Sequence, residues 1–174
     1  MDAHTLRALQ RPLKEKYRDD PSTALVPVHA EGRIVDYGVT CTVQTWSGRT
    51  RAGLHPATGG DGTDACSADM LLEALAACAG VTLHSVAIAM GITLEDAHVV
   101  VDGQFDARGT LAVDRDAPVG LTDVVVTFVF DTDADEEKVA HLVELAERYC
   151  VVAQTLQHPP NLTIRHDVTR VGAG

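Results

Sequence analysis

The segment from Met70 to Met90 constrains the fold more than any other part of this sequence, because its helical pattern is apolar on nearly every side. A helix without a polar face is normally buried in a protein core, although one of this length can also span a membrane. Four polar side chains interrupt it, and neither basic residues nor aromatic anchors flank it; the four are Glu73, Thr82, His84 and Ser85. We therefore predict a buried core helix, and no membrane as a partner.

The limits of this helix, and a second one, follow from capping patterns. Ser67 is the expected N-cap of the first helix, Asp69 falls in its first turn, and Gly91 is expected to end it. A capping box at 133–136 is expected to open the second long helix. Its apolar stripe at helical spacing is Val139, Leu142, Val143, Ala146, Tyr149, Cys150 and Ala153.

The remaining periodic segments predict a mixed architecture. Residues 5–17 are helical in pattern, and Pro12 is expected to divide them into two short helices. Strands are predicted at 24–30, 34–46, 50–55, 98–106, 119–131 and 161–168, with turns at 31–33 and 47–49. The order of strands, helix, strands, helix and strand indicates the α+β class, with helices packed on antiparallel sheet.

The charge balance limits the partners that this chain can have. The formal net charge is −11, from 25 acidic and 14 basic residues, and no basic run is present. Nucleic acids and anionic membrane surfaces both require clustered Lys and Arg, so neither is expected as a partner. The first residues lack the apolar core of a signal peptide, and we expect a cytoplasmic protein. In that compartment the four cysteines are expected to be thiols at rest.

Cys78, in the apolar helix, and Cys150, in the second helix, are the candidate functional residues. Such a thiol is either an inert packing residue or a reactive group in a dry pocket. Burial raises the pKa of a thiol, and helix geometry turns Asp69 and Glu73 away from Cys78, so a reactive Cys78 needs a cation from elsewhere in the fold. The candidate cations are Arg49 and Arg51, followed by Arg33 and Arg108.

Other kinds of site have no support in the sequence. The eight histidines form no metal-binding spacing, and the glycine-rich loop at 56–67 lacks the pattern of a phosphate-binding loop. No Gly-x-Ser-x-Gly elbow of a serine hydrolase is present. We therefore expect neither a metal nor a cofactor. Cys41 is expected to be structural, and Cys66 to be a more exposed thiol.

Three motifs resemble the OsmC/Ohr family, the osmotically inducible protein C and organic hydroperoxide resistance proteins. Gly59-Gly60 followed by Asp69-Met-Leu-Leu-Glu-Ala-Leu-Ala-Ala-Cys78 resembles the first cysteine signature of this family. Residues 97–109 are similar to the strand and loop that follow, and residues 147–156 resemble the second cysteine motif. The likeness spans roughly residues 39–168. We accordingly expect residues 1–20 to be an N-terminal helical extension and residues 21–174 to form a single domain.

The resemblance implies an OsmC-like fold, in which two long core helices pack against antiparallel sheets in an intertwined homodimer. It also implies that the Cys78 thiolate attacks an organic hydroperoxide, that Cys150 closes a Cys78–Cys150 disulfide, and that a dithiol reductant reopens it. In peroxidase members a Glu ten residues before the first cysteine holds an activating Arg of the N-terminal strands. Ala68 occupies that place here, so Asp69 is the candidate substitute. Many members also have Pro where this chain has Val151.

Two functions stay open at this point. The first is a thiol-dependent peroxidase in which Cys78, Cys150, Asp69 and either Arg49 or Arg51 form the site. The second is a non-catalytic protein that holds a small apolar or thiol-bearing molecule in the same pocket, with the cysteines as packing residues. The two retained cysteines favour the first, and the missing carboxylate at Ala68 favours the second.

Overall fold

The computed structural model describes residues 1–35 and 38–169 and confirms the α+β class. Its helices are α1 (Ala3–Asp19), α2 (Ser67–Met90), α3 (Ala107–Thr110), α4 (Glu136–Tyr149) and α5 (Val151–Gln157). Its strands are β1 (Gly32–Val35), β2 (Thr40–Thr45), β3 (Gly48–Gly53), β4 (Ala65–Cys66), β5 (Glu95–Phe105) and β6 (Leu121–Asp131). Strands β1 to β4 form one sheet in that order, with β3 and β4 parallel, while β5 and β6 form an antiparallel pair.

Helix α2 is the centre of the core. One of its faces carries four buried residues at intervals of four, which are Leu75, Ala79, Leu83 and Ala87. The C-terminal half of this face packs against Leu142 and Ala146 of α4, and the N-terminal half packs beside Cys150. Valines and phenylalanines of β5 and β6 cover both halves, and along β6 these inward residues alternate with exposed ones. The core thus places Cys150 directly against α2.

The limits of α2 lie close to those predicted. The prediction of Ser67 as the N-cap was wrong by one residue, since Cys66 precedes the helix and Ser67 is its first residue. Asp69 in the first turn and termination at Gly91 are confirmed; Gly91 has φ 71°, in the left-handed region that favours glycine. Among the described residues, α2 is the one helix long and apolar enough to cross a membrane. One face of α2 packs against α4 and β5, as expected of a core helix, whereas a second face with Ala74, Ala77 and Val81 is exposed.

Helix α1 is continuous, so the predicted division at Pro12 was wrong. The Asp2 side chain caps the helix by accepting a 2.7 Å hydrogen bond from the Thr5 N–H. No residue of α1 is buried. Pro12 has no N–H to donate to the carbonyl of Ala8, one turn earlier, and Ala8 is exposed to water. Water can satisfy that carbonyl, so the proline does not break the helix.

The first predicted strands are placed differently in the structure. The predicted strand at 24–30 was wrong, because residues 25–31 have no regular structure, and the turn predicted at 31–33 contains the start of β1. The predicted strand at 34–46 is divided into β1 and β2, and its residues Asp36 and Tyr37 lie outside the described residues. The hairpin predicted near Ser47 is confirmed, since Thr45 pairs with Gly48.

The predicted C-terminal strand at 161–168 was wrong for the described chain. Residues 161–169 have no regular structure, and Leu162 and Ile164 are 86% and 87% exposed. The alternation of apolar residues gives the segment one apolar face, but a strand also requires a neighbour that pairs with its backbone. Neither described sheet supplies that neighbour.

The Gly59–Gly60 turn fits closely against the chain before it. Gly59 has φ 96°, a conformation that residues with a side chain rarely adopt. The Gly60 N–H donates a 3.1 Å hydrogen bond to the carbonyl of His55. A Cβ atom at Gly60 would lie 1.7 Å from the backbone oxygen of Leu54. Both glycines of this motif therefore have a structural requirement in the loop that leads to α2.

We predict that Gly60→Ala lowers the free energy of unfolding by about 2 kcal/mol, because backbone must move to admit the new methyl group. Urea unfolding at one fixed protein concentration measures this change. Gly120→Ala is the matched control, since a Cβ there meets nothing within 4 Å. An equal shift for the two variants would show that the close approach at Gly60 does not limit stability.

Candidate functional site

Cys78 and Cys150 meet in one apolar cluster. Cys78 lies in the middle of α2, and Cys150 lies between α4 and α5. Both are free thiols, and Cys150 is only 1% exposed. The side chains packed around them are apolar and come from α2, α5 and the sheet; they include Leu75, Ala79, Val99, Val101, Val124, Val126, Phe128, Val152 and Ala153. The fold therefore brings both cysteines together in apolar surroundings, with Cys150 buried and Cys78 partly buried.

The second helix breaks at Cys150, which the sequence did not predict. Cys150 has φ −75° and ψ 107°, which is extended backbone, so α4 ends at Tyr149 and α5 begins at Val151. The predicted continuous stripe through Ala153 was therefore wrong, and Tyr149 is 59% exposed instead of lying on the buried face. Helix α4 also starts later than the predicted box, with the Asp135 side chain accepting from the Lys138 N–H at 2.9 Å.

The break places backbone amides near the Cys78 sulfur. Burial raises the pKa of the Cys78 thiol, but hydrogen bonds that stabilise the thiolate outweigh this effect. They come mainly from the Val152 amide, the Cys150 thiol and the Val151 amide. The pKa of Cys78 therefore lies below its ordinary value. In an unbroken helix these amides would face the carbonyls one turn earlier, and Cys78 would lack them.

The pKa of Cys150 is shifted in the opposite direction. Burial raises its pKa, and the neighbouring Cys78 raises it further, since a thiol that donates to a thiolate resists losing its own proton. The Ala153 amide acts in the other direction without reversing the result. Cys78 is thus the group that ionises first, and Cys150 remains a protonated thiol in contact with it. This arrangement suits a nucleophile and a second thiol that reacts after it.

Within one chain, the arginines predicted to activate Cys78 pair with other residues or are exposed. Arg51 forms an ion pair with Asp64, whose side chain is only 12% exposed, at a cleft of about 390 Å³ lined by β3 and the glycine-rich loop. Arg49 is exposed on the same strand. Arg33 pairs with Glu31, and Arg108 pairs with Asp106 and Asp114. In the described part of the chain, the groups that most strongly shift the pKa of Cys78 include no cation.

Asp69 is exposed in the first turn of α2, nine residues before Cys78. A role for it, or for either arginine of β3, in activating Cys78 stays a prediction. Cys66 is partly buried at the start of α2, and Cys41 is partly buried on β2 opposite Ile34. No group of three or more His, Cys, Asp or Glu side chains in the described ranges could hold a metal ion.

The amides of Val151 and Val152 are candidate site groups that the sequence did not predict. A helical stripe continues through Cys150, and neither Gly nor Pro marks a break between 144 and 157. One signal was available. Many members of the family that the second motif resembles have Pro at the position of Val151, and Pro favours the first residue of a helix. That preference places a new helix directly after the cysteine.

Comparisons with known proteins bear on the family and the fold. Residues 60–165 match the sequence model of the OsmC-like protein family. The fold is similar to that of an OsmC-like protein from Mycoplasma pneumoniae, with a TM-score of 0.65 and 17% identity over 77% of this chain and 89% of that one. An organic hydroperoxide resistance protein from Elizabethkingia anophelis gives a TM-score of 0.57 and 14% identity, over 78% and 91% of the two chains. No curated protein sequence gives a significant match.

Proposed function

The chain belongs to the OsmC-like protein family, and from that premise we propose that it reduces organic hydroperoxides with Cys78 and Cys150. The observation that carries the proposal is the packing of Cys78 against Cys150 in one apolar cluster, and the lowered pKa of Cys78 and raised pKa of Cys150 support it. A packing role alone requires no such difference. The thiolate is the reactive form of cysteine, so the geometry supports Cys78 as the nucleophile.

The proposed reaction has two steps in the protein. The Cys78 thiolate attacks the terminal peroxide oxygen, the O–O bond breaks, and the alkoxide takes up a proton and leaves as an alcohol. Cys78 is then a sulfenic acid, and the sulfur has been oxidised by two electrons. The Cys150 sulfur attacks the Cys78 sulfur, which forms the disulfide and releases water. An external dithiol reductant then returns both thiols by thiol–disulfide exchange.

The lining of the site supports an apolar peroxide as substrate. Val99, Val101 and Phe128 pack around the two cysteines, and no charged side chain is among the residues of this cluster in the described chain. An organic substituent is stabilised by contact with such a surface, whereas hydrogen peroxide gains little from it. We propose an organic hydroperoxide as the preferred substrate for this reason.

We further propose that the protein works as a cytoplasmic homodimer, with residues 1–20 as an extension to the domain at 21–174. The support is a second apolar face of α2, on which Ala74, Ala77 and Val81 are exposed at helical spacing. Val81 is 73% exposed, and apolar helix faces are normally covered.

Mass spectrometry of peroxide-treated protein tests the proposal. We expect cumene hydroperoxide, added in slight excess, to link the peptides that carry Cys78 and Cys150 and to protect both from later alkylation. Cys41 and Cys66 are internal controls that should remain alkylatable. If Cys78 and Cys150 also remain alkylatable after treatment, the enzymatic function is wrong.

The alternative is a non-catalytic binding protein, and the absence of a carboxylate at Ala68 favours it. It would hold a small apolar or thiol-bearing molecule in the pocket around Cys78. Cys78→Ser distinguishes the two functions. A binding protein should keep its ligand affinity in this variant, whereas a peroxidase should lose its reaction.

A further inference from the structure

The carbonyl of Glu147 has an unusual partner at the helix break. In a continuous helix it would accept a hydrogen bond from the N–H of Val151, four residues later. Here the side chain of Gln154 donates to it at 3.2 Å, and the Cys150 N–H makes a longer contact at 3.4 Å. A side-chain amide therefore takes the place of the backbone amide that turns toward Cys78. The exchange leaves the carbonyl satisfied while the backbone donor is released.

Gln154 is itself held in this position. Its side-chain nitrogen also contacts the Gln157 side-chain oxygen at 3.2 Å, and the Gln157 nitrogen donates to the Glu147 carboxylate at 2.7 Å. Together with the bond to the Glu147 carbonyl, these contacts connect Glu147, Gln154 and Gln157 across the junction of α4 and α5. One backbone bond continues past the junction, since the Gln154 N–H donates to the Cys150 carbonyl at 2.9 Å.

The sequence at the junction contains no residue that would break the helix by itself. No Gly or Pro lies between 144 and 157, and the apolar stripe is compatible with one unbroken helix. Where Pro follows the cysteine, its ring enforces a break, but it also removes a backbone N–H. Val151 keeps that N–H, which helps to lower the pKa of Cys78, and the break in this chain is accompanied by the contact of Gln154 with the Glu147 carbonyl.

We propose that Gln154 is a positioning residue, which holds the break at Cys150 by occupying the Glu147 carbonyl and so keeps the amides of Val151 and Val152 directed at Cys78. The inference deepens the proposed function and rests on it for the use to which Cys78 is put. Gln154 does not touch the reacting sulfur in this account. It acts through the backbone of the two residues that follow Cys150.

Other charges do not obscure the effect expected of Gln154. Helix α5 carries no titratable side chain, and the inward residues of β5 and β6 beside Cys78 are apolar. The charged and titratable residues of α2, α4, β5 and β6 are exposed; those nearest in sequence are Asp69, Glu73, His84, His98, Asp102, Asp123, Glu147, Arg148 and Tyr149. Helix α1 and strand β4 also pack on α2, and each contributes one partly buried titratable side chain, Tyr17 and Cys66. Cys150 is the titratable group in contact with Cys78, and it is the same in every variant below.

The test is the pH profile of Cys78 alkylation by iodoacetamide, followed peptide by peptide. Gln154→Met keeps the size of the side chain and removes its donor. We expect the apparent pKa of Cys78 to rise and the alkylation rate at pH 7 to fall about fivefold. Gln157→Met is the matched control. It removes an amide that contacts Gln154 but leaves the bond from Gln154 to the Glu147 carbonyl in place, so we expect less than a twofold change.

A rescue separates positioning from simple packing. Val151→Pro in the Gln154→Met background should restore the break through the proline ring, and with it the Val152 amide. We expect part of the lost alkylation rate to return, and not all of it, because the Val151 N–H is absent. If Gln154→Met does not fold, Gln154→Asn withdraws the amide by one methylene and is read in the same way.

Each outcome decides the matter. A Gln154→Met profile equal to that of Gln157→Met, or a loss that Val151→Pro does not relieve at all, overturns the role of Gln154. A shifted and rescued profile supports it. Failure of the wild-type protein to form the Cys78–Cys150 disulfide with peroxide overturns the proposed function instead, and leaves the alkylation result standing.

Discussion

Cys78→Ser is expected to lower the rate of organic hydroperoxide reduction by about a thousandfold or more, because a serine hydroxyl has no accessible anion at neutral pH. The measurement is consumption of cumene hydroperoxide in the presence of dithiothreitol, which serves as the dithiol reductant. Serine is close to cysteine in size and Cys78 is only partly buried, so the fold should survive the change. Circular dichroism and the unfolding midpoint verify this.

Three further cysteine substitutions show whether the loss of activity is specific to Cys78. Cys41→Ser and Cys66→Ser should retain the wild-type rate, since neither thiol is part of the cluster around Cys78. In the absence of dithiothreitol, Cys150→Ser should consume about one equivalent of peroxide per chain and then stop at the Cys78 sulfenic acid, which dimedone traps. Peroxide turnover that persists in Cys78→Ser would assign the chemistry to another group.

Leu142→Ala should lower the free energy of unfolding by about 3 kcal/mol, the largest stability effect that we expect. Leu142 of α4 is completely buried and packs against Leu83 and Ala87 of α2. Truncation removes apolar contacts and leaves a cavity between two helices that α5 and the sheet already hold in place. Urea unfolding at a fixed protein concentration gives the value, because association would otherwise alter it.

Leu13→Ala is the control for this prediction. Leu13 lies on α1 and is 48% exposed, so its truncation should cost less than about 1 kcal/mol. Similar losses at the two positions would mean that the α2–α4 contact is not the main source of stability. The activity of Leu142→Ala, measured well below its unfolding midpoint, should remain near that of the wild type.

The sequence predicts the parts of this fold that depend on local pattern. The apolar run at Met70–Met90, the glycine at its end and the spacing of Leu142 and Ala146 each identify a helix and its buried face. The hairpin near Ser47 follows from a local turn signal in the same way. These elements can be predicted without reference to the rest of the chain.

The elements that local pattern could not predict depend on distant partners. Residues 161–168 alternate like a strand, yet the described sheets offer them no neighbour. The break at Cys150 is invisible to helical periodicity, because it is held by the Gln154 side chain and by packing against α2. For the candidate site, the sequence predicted both cysteines, which the fold brings together, but not the amides of Val151 and Val152. Backbone donors carry no residue-type signal.

The most direct test of the account is the pKa of Cys78 in the untreated wild-type protein. Iodoacetamide alkylation of the Cys78 peptide, measured from pH 5 to pH 10, gives the value from the inflection of the rate. A lowered pKa means that the thiolate persists as the pH falls, so the inflection should lie below the free-cysteine value of about 8.5. An inflection at or above that value would contradict the claim that the helix break ionises Cys78.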